Sequence, residues 1–310
     1  MRLGIAGFLM SALVLAGCAG SENLLIPSNA DTAPGFPYAP TNGQISRALA
    51  ETDALIRKNP NAPEPYLQRA RIQLDADNRL EARKDVDRAL ALQPSARAYI
   101  LREKIRDEAD IAGRREDMAA ARTLEPRSLN VFSVSATVES AARDYEKALA
   151  YLDAGLAIRP DEPSLLTERG RTHASAGHRE AALADFARAR ALISRNAAKL
   201  NDLCWAKAMT GLELASALED CNASLSIIPA SSATRDSRAL VELRMGQFDR
   251  AIDDYNAALK IAPNRAASLY GRGIARIKSG HAAEGEADLA KARAISSVID
   301  ARFREYGVTP

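Results

Sequence analysis

Three cysteines, three histidines and several adjacent carboxylates are the side chains of this 310-residue chain best suited to chemistry. The cysteines are Cys18, Cys204 and Cys221, and the histidines are His173, His178 and His281. A structural zinc site draws about four N or S ligands together, and no His-Cys spacing here does that. Gly271 and Gly273 lack the following Gly-Lys-Ser/Thr that completes a phosphate loop. The pairs Asp253-Asp254 and Glu219-Asp220 fall between the apolar positions of helical stretches and read as solvated faces. No serine nucleophile has a base and an orienter in the pattern. The expectation is therefore no catalytic residue, no metal, no cofactor and no enzyme activity.

Cys204 and Cys221 fall on consecutive antiparallel helices. Set one turn out of register, they are offset by ~6 Å along the axis and by an interhelical gap of ~8–10 Å. A bridge spans about 7 Å between Cα atoms at most. Two small buried thiols are the expectation, with a disulfide as the alternative if the chain is exported.

These residues must be positioned by helices. Apolar types make up 47% of the chain and aromatics only 5%, a balance that favours helix over sheet. Forty-two basic residues face 40 acidic ones, so there is no basic excess to attract nucleic acid.

The chain opens on Arg2 and then an apolar run, Leu3 to Leu15, broken only by Ser11. At 1.5 Å per residue this run is ~20 Å long, short of the ~30 Å hydrocarbon layer. A positive start, a short apolar run and small residues predict a secretory signal over 1–17. The run ends Leu15-Ala16-Gly17-Cys18, which resembles the bacterial lipobox. That resemblance implies diacylation of Cys18 and palmitate-type anchoring. It also implies a periplasm-facing location, at the outer membrane because Ala19 rather than Asp follows. Ordinary secretion with cleavage after Ala19 and an uncleaved anchor are the alternatives. Residues 18–43 hold Pro27, Pro34, Pro37 and Pro40 without helical period and read as a lipidated Cys and flexible tether.

A repeat governs the rest. Pro94, Pro126, Pro160, Pro229 and Pro263 close successive helical stretches, and Ser194 and Ser297 complete a spacing of 32 to 35 residues. Two residues before these marks stand Leu92, Leu124, Ile158, Leu192, Ile227, Ile261 and Ile295. Second helices carry small-apolar-small triplets on one face: Ala82-Val86-Ala89, Ala148-Leu152-Gly155, Ala182-Phe186-Ala189, Ala217-Cys221-Ser224, Ala251-Tyr255-Ala258 and Gly285-Leu289-Ala292. First helices offer a small residue at the crossing: Ala70, Ala136, Gly170, Cys204, Ala239 and Gly273. Gly177, Gly211, Gly246 and Gly280 stand between the helices.

This unit resembles the tetratricopeptide repeat, two antiparallel helices in 34 residues. The resemblance implies an all-α fold, a right-handed superhelical solenoid of helical hairpins over 63–297. Six units are clear and one, at about 95–128, is degenerate. Residues 44–62 read as an N-terminal capping helix and 298–310 as a C-terminal one. The unit ending at Pro229 carries one extra residue, assigned to its turn. His173 stands where the family packs an aromatic, and His178 and His281 are three repeats apart, too far to share a metal. The closing stretch, from Ser268-Leu-Tyr-Gly-Arg-Gly to Phe303-Arg-Glu-Tyr-Gly, also resembles uncharacterised repeat proteins of alphaproteobacteria.

In that family the first helices line a concave wall that binds proteins or peptides. Projected onto this chain, the wall runs through Leu67, Arg71 and Leu74, then Ser133, Thr137, Thr167 and Arg171. It continues through Asn201, Trp205, Met209, Asp236, Leu240, Arg244, Tyr270, Ile274 and Lys278. Trp205, Met209, Leu240 and Tyr270 suggest an apolar anchor pocket, with Arg244 and Lys278 placed to orient a carboxylate. Core packing is the alternative for Trp205. The Lys-Asn-Arg carboxylate clamp of the chaperone-binding subclass is missing. The functional expectation is a non-enzymatic envelope adaptor whose partners are proteins or peptides. A self-associating architectural component and an enzyme subunit are the other readings.

Overall fold

The computed structural model describes residues 42–310, so the signal, Cys18 and nearly all of the tether lie outside the described residues. Sixteen helices and no strand occur among these residues. A single helix, α1 (Asn42–Lys58), precedes seven hairpins. They are α2 (Pro63–Asp75) with α3 (Arg79–Leu92), α4 (Ala96–Ile105) with α5 (Ile111–Leu124), and α6 (Leu129–Ala141) with α7 (Tyr145–Ile158). Next come α8 (Pro163–Ser175) with α9 (Arg179–Leu192), and α10 (Ala197–Thr210) with α11 (Leu214–Ile227). The last are α12 (Ser232–Arg244) with α13 (Phe248–Ile261), and α14 (Ala266–Lys278) with α15 (Ala282–Ile295). The short α16 (Ile299–Glu305) follows. Each helix packs on its neighbours in the chain, giving a solenoid of helical hairpins.

Local chemistry starts and stops these helices. Asp110, Asp144, Asn196 and Ser231 accept backbone N–H groups at the starts of α5, α7, α10 and α12. Pro63 and Pro163 open α2 and α8, where a missing N–H costs nothing. Gly177, Gly211, Gly246 and Gly280 all take positive φ between the helices of their hairpins. Where no glycine stands, Asp77 and Arg143 take that left-handed conformation instead. The extra residue of the fifth hairpin lies in α10, which has 14 residues where α8 has 13. Its turn then needs a second left-handed residue, Glu213.

The hairpins close on the two columns of small and apolar side chains. Ala70, Ala136, Cys204 and Ala239 are wholly buried, and so are their partners Val86, Leu152, Cys221 and Tyr255. Gly170 and Gly273 sit so near Phe186 and Leu289 that an added Cβ would lie under 3.0 Å from them. Gly271 has a further reason to be glycine: a Cβ there would strike the Tyr255 ring, which reaches across from α13. Close packing of this kind transmits register from one hairpin to the next.

A charged ladder runs beside the apolar columns. Arg69, Arg169, Arg238 and Arg272 each fork onto a buried aspartate of the following helix: Asp85, Asp185, Asp254 and Asp288. Each also reaches back to the preceding helix, to Asp53, Asp153, Asn222 and Asn256 in turn. One guanidinium thus ties three helices, which its planar five-donor fork permits. In the shortened second hairpin Arg102 and Arg106 share the fully buried Asp117, which gives that degenerate unit a fixed register. In the fifth hairpin Leu203 takes the arginine position, and Lys207, one turn later, pairs with Asp220 instead. These contacts correct the reading of the acidic pairs. Asp254 and Asp220 are buried ladder members, and only Asp253 and Glu219 face solvent.

Candidate functional site

The first helices of successive hairpins line a continuous inner groove. Its larger part, about 920 Å³, runs from Leu74 on α2 past Glu103, Val134 and Glu168 to Trp205 and Met209 on α10. Ser133 and Thr137 donate to Glu168 at 2.6 and 2.7 Å, binding α6 to α8 across the groove floor. Asp202 stands at the rim beside Trp205, and burial pushes its carboxyl up to about 6 against the opposing pull of Lys199. A second part, about 610 Å³, lies between Thr137, Arg171, Met209 and Arg244 on one side and Glu305, Tyr306 and Gly307 on the other.

The structure divides the residues projected onto the wall. Arg171, Trp205 and Met209 are half-buried and line the groove. Asn201 is buried, and its Oδ1 has no hydrogen-bond partner. Asp236 is buried and accepts from Ser268, with Arg265 at 3.4 Å. Leu240, Tyr270 and Ile274 are all at most 2% exposed, so they form core in this state and not an open pocket. Arg244 does not await a carboxylate: its Nη1 donates to the carbonyls of Met209 and Tyr306. Burial alone holds its pKa below the usual arginine range. Lys278 is exposed at the end of α14 and lies outside both parts of the groove.

What covers the C-terminal half is the chain's own closing segment. Phe303 of α16 packs against Tyr270 with its ring tilted, 4.7 Å between ring centres, and Ile299 and Val308 are buried with it. The Tyr270 hydroxyl donates to Asp300 at 2.7 Å. Arg293, with help from Tyr270, holds the Asp300 carboxyl down at about 2. Tyr306 meets Trp205 edge-on at 5.8 Å. Burial raises the Tyr306 hydroxyl to about 12. The segment then crosses the hollow: Glu305 accepts from Arg143 and Arg302 donates to Glu108, partners 162 and 194 positions away. The sequence marks 298–310 as a cap, and its reach to distant hairpins has no signal in the repeat pattern.

Cys204 and Cys221 form a disulfide, against the expectation of free thiols. Their Cα atoms are 5.5 Å apart. The two cysteines hold the positions of Gly170 and Phe186 in the preceding hairpin, where a small residue brings the helices together. They stand opposite each other at the narrowest point, so neither the one-turn offset nor the full interhelical gap applies. Elsewhere, His173 and His178 face each other across a turn with Nδ1 atoms 3.3 Å apart. Among the described residues no group of three His, Cys, Asp or Glu stands close enough to hold a metal.

One buried carboxylate is left under-satisfied. Glu242 on α12 is 5% exposed and its Oε2 has no partner. Burial, reinforced by Asp254, pushes its pKa up to about 7 from an ordinary value of 4.5. A carboxyl raised in the fold binds its proton more tightly there than in the unfolded chain. Its stabilising contribution is complete below pH 4.5 and is lost as pH rises through 7. Glu242→Gln removes that loss. The variant is expected to match the natural chain at pH 4.5 and to exceed it by roughly 3 kcal/mol at pH 8, at about 1.4 kcal/mol per pKa unit. Urea unfolding at the two pH values checks this, and an equal difference at both would refute it.

Comparison with known proteins bears on the hairpin stack. Two family models, both described as tetratricopeptide repeat, match residues 139–198 and 237–265. These two stretches are tetratricopeptide repeats. The same architecture occurs in a tetratricopeptide repeat protein from Parabacteroides merdae, at 16% identity and TM-score 0.54 over 79% of this chain and 99% of that one. Yeast Tom70 aligns at 13% identity and TM-score 0.62 over 87% of this chain and 60% of its own length. A chain of the APC/C hetero-tetramer Cut9-Hcn1 aligns at 15% identity and TM-score 0.54, with 85% and 52% covered. At these identities the likeness is one of fold. No curated protein matches the sequence.

Proposed function

We propose that this chain is a protein-binding adaptor of the bacterial cell envelope, exported and anchored through a diacylated Cys18, with the inner groove as its binding face. The groove carries the reading. It is continuous over five hairpins and half-exposes Trp205, Met209 and Arg171, types enriched where proteins meet. Export is supported by the lipobox-like Leu15-Ala16-Gly17-Cys18 and by the Cys204–Cys221 bridge, since disulfides persist in oxidising compartments. No described helix is long and apolar enough to cross a membrane, so within the proposal the acyl chains hold the protein there.

Two experiments test the proposal. Labelled palmitate is expected to enter the natural chain in intact cells and not Cys18→Ala, and label persisting in the variant would remove the anchor. Photo-crosslinking from the groove is expected to recover a discrete partner protein, and recovery of none would remove the adaptor.

A further inference from the structure

We infer that the closing segment Ile299–Val308 is a resident ligand of the inner wall, and that the partner held there is a peptide helix of the same chemistry, presenting Phe-x-x-Tyr along one face. This inference rests on the groove being the binding face.

The segment makes two kinds of contact. Ile299 and Phe303 cover the last hairpin, which is all that a cap of an open solenoid must do. Tyr306, Glu305 and Arg302 do something else. They reach Trp205 and Arg244 on α10 and α12, Arg143 in the turn before α7, and Glu108 in the turn before α5. None of these belongs to the last hairpin. The contacts are those of a bound peptide: an aromatic ring against a tryptophan edge, a guanidinium on a backbone carbonyl, and two ion pairs at the rim.

The docked state is also built to be left. Helix α16 has only seven residues, too few to be helical without the surface beneath it. Its two long-range ion pairs are exposed, with side chains 41–74% accessible, and such pairs hold weakly. Ile299 and Phe303 anchor the segment, whereas its hold on the distant hairpins is two exposed pairs, one ring contact and one guanidinium–carbonyl bond, and thinly held stretches open first in a fold. The second part of the groove runs directly along Glu305, Tyr306 and Gly307, so an incoming helix that displaced the segment would gain the adjoining contacts with Thr137 and Arg171. Competition between an intramolecular and an intermolecular helix at one site follows from the shared chemistry.

Trp205 is the only tryptophan, so its emission reports the segment's position. The probe is a labelled peptide with the sequence of residues 297–310, added to the full-length chain and read by fluorescence anisotropy. Phe303→Ala/Tyr306→Ala is expected to bind the peptide at least tenfold more tightly than the natural chain. Its Trp205 emission is expected to shift red and to return when peptide is added. If this double variant fails to fold by circular dichroism, Arg302→Glu/Glu305→Arg carries the test. It leaves the aromatic contacts intact and sets like charges against Glu108 and Arg143, and a several-fold gain in peptide binding is expected. Folded variants that bind the peptide no better than the natural chain would overturn the inference. In a separate arm, the peptide is expected to compete with a partner crosslinked from the groove. A partner that crosslinks but is not competed would leave the adaptor reading standing and remove this one.

Discussion

Asp220→Ala is expected to lower the unfolding free energy by about 3–5 kcal/mol, the usual result of stripping one partner from a buried ion pair. Lys207 and Asp220 are each 1% exposed and lie 2.9 Å apart. Removing the carboxylate leaves the ammonium inside the fifth hairpin with the Ser216 hydroxyl at 2.8 Å and the Glu213 carboxylate at 3.6 Å. Glu213, more distant and 37% exposed, compensates the ammonium only in part. Arg190, which also pairs with Asp220, keeps access to water and loses little. The paired change Lys207→Met/Asp220→Leu removes both charges and is expected to recover most of the loss. Urea unfolding of the three variants, with hydrogen exchange of α10 and α11, measures this. A loss below about 1 kcal/mol for Asp220→Ala would show that the ladder does not set the register of the hairpins.

Reducing the Cys204–Cys221 bridge is expected to cost about 3 kcal/mol, from loop-closure entropy over the 17-residue separation. The control is built into the repeat. Cys204→Ala/Cys221→Val reproduces the Ala70 and Val86 pair of the first hairpin, so it keeps the packing and removes only the covalent link. The natural chain is expected to lose stability when dithiothreitol is added, and the variant to start at the lower value and ignore it. A natural chain indifferent to reductant would mean that the thiols are free.

The two cases show what the repeat pattern carries and what it conceals. The small and apolar columns, the turn glycines and the lone helices at either end are written at fixed spacing, because close crossings tolerate few residue types. The ladder is written as regularly, with arginines at 69, 169, 238 and 272 and aspartates sixteen positions later. It was hidden because carboxylates beside an apolar stripe also fit a solvated face, and only the forked arginine distinguishes the two. The disulfide escapes the repeat spacing because a small side chain narrows the interhelical gap at that one crossing. The wall was legible as far as α10. Beyond that, Tyr270 lies under Phe303 of a segment that folds back onto it, Leu240 and Ile274 join the same core cluster, and hairpin periodicity holds no information about that segment. Trp205 lies at the join, half-covered by Tyr306 and half-open to the groove.

The adaptor reading turns on whether partners meet that groove. Thr137 is exposed on its wall, while Ala187 is exposed on α9 outside it. A photo-crosslinking residue at each position, in intact cells, separates the faces. A discrete crosslinked protein from position 137 and none from 187 is the predicted result. Crosslinks from 187 alone, or from neither, would contradict it.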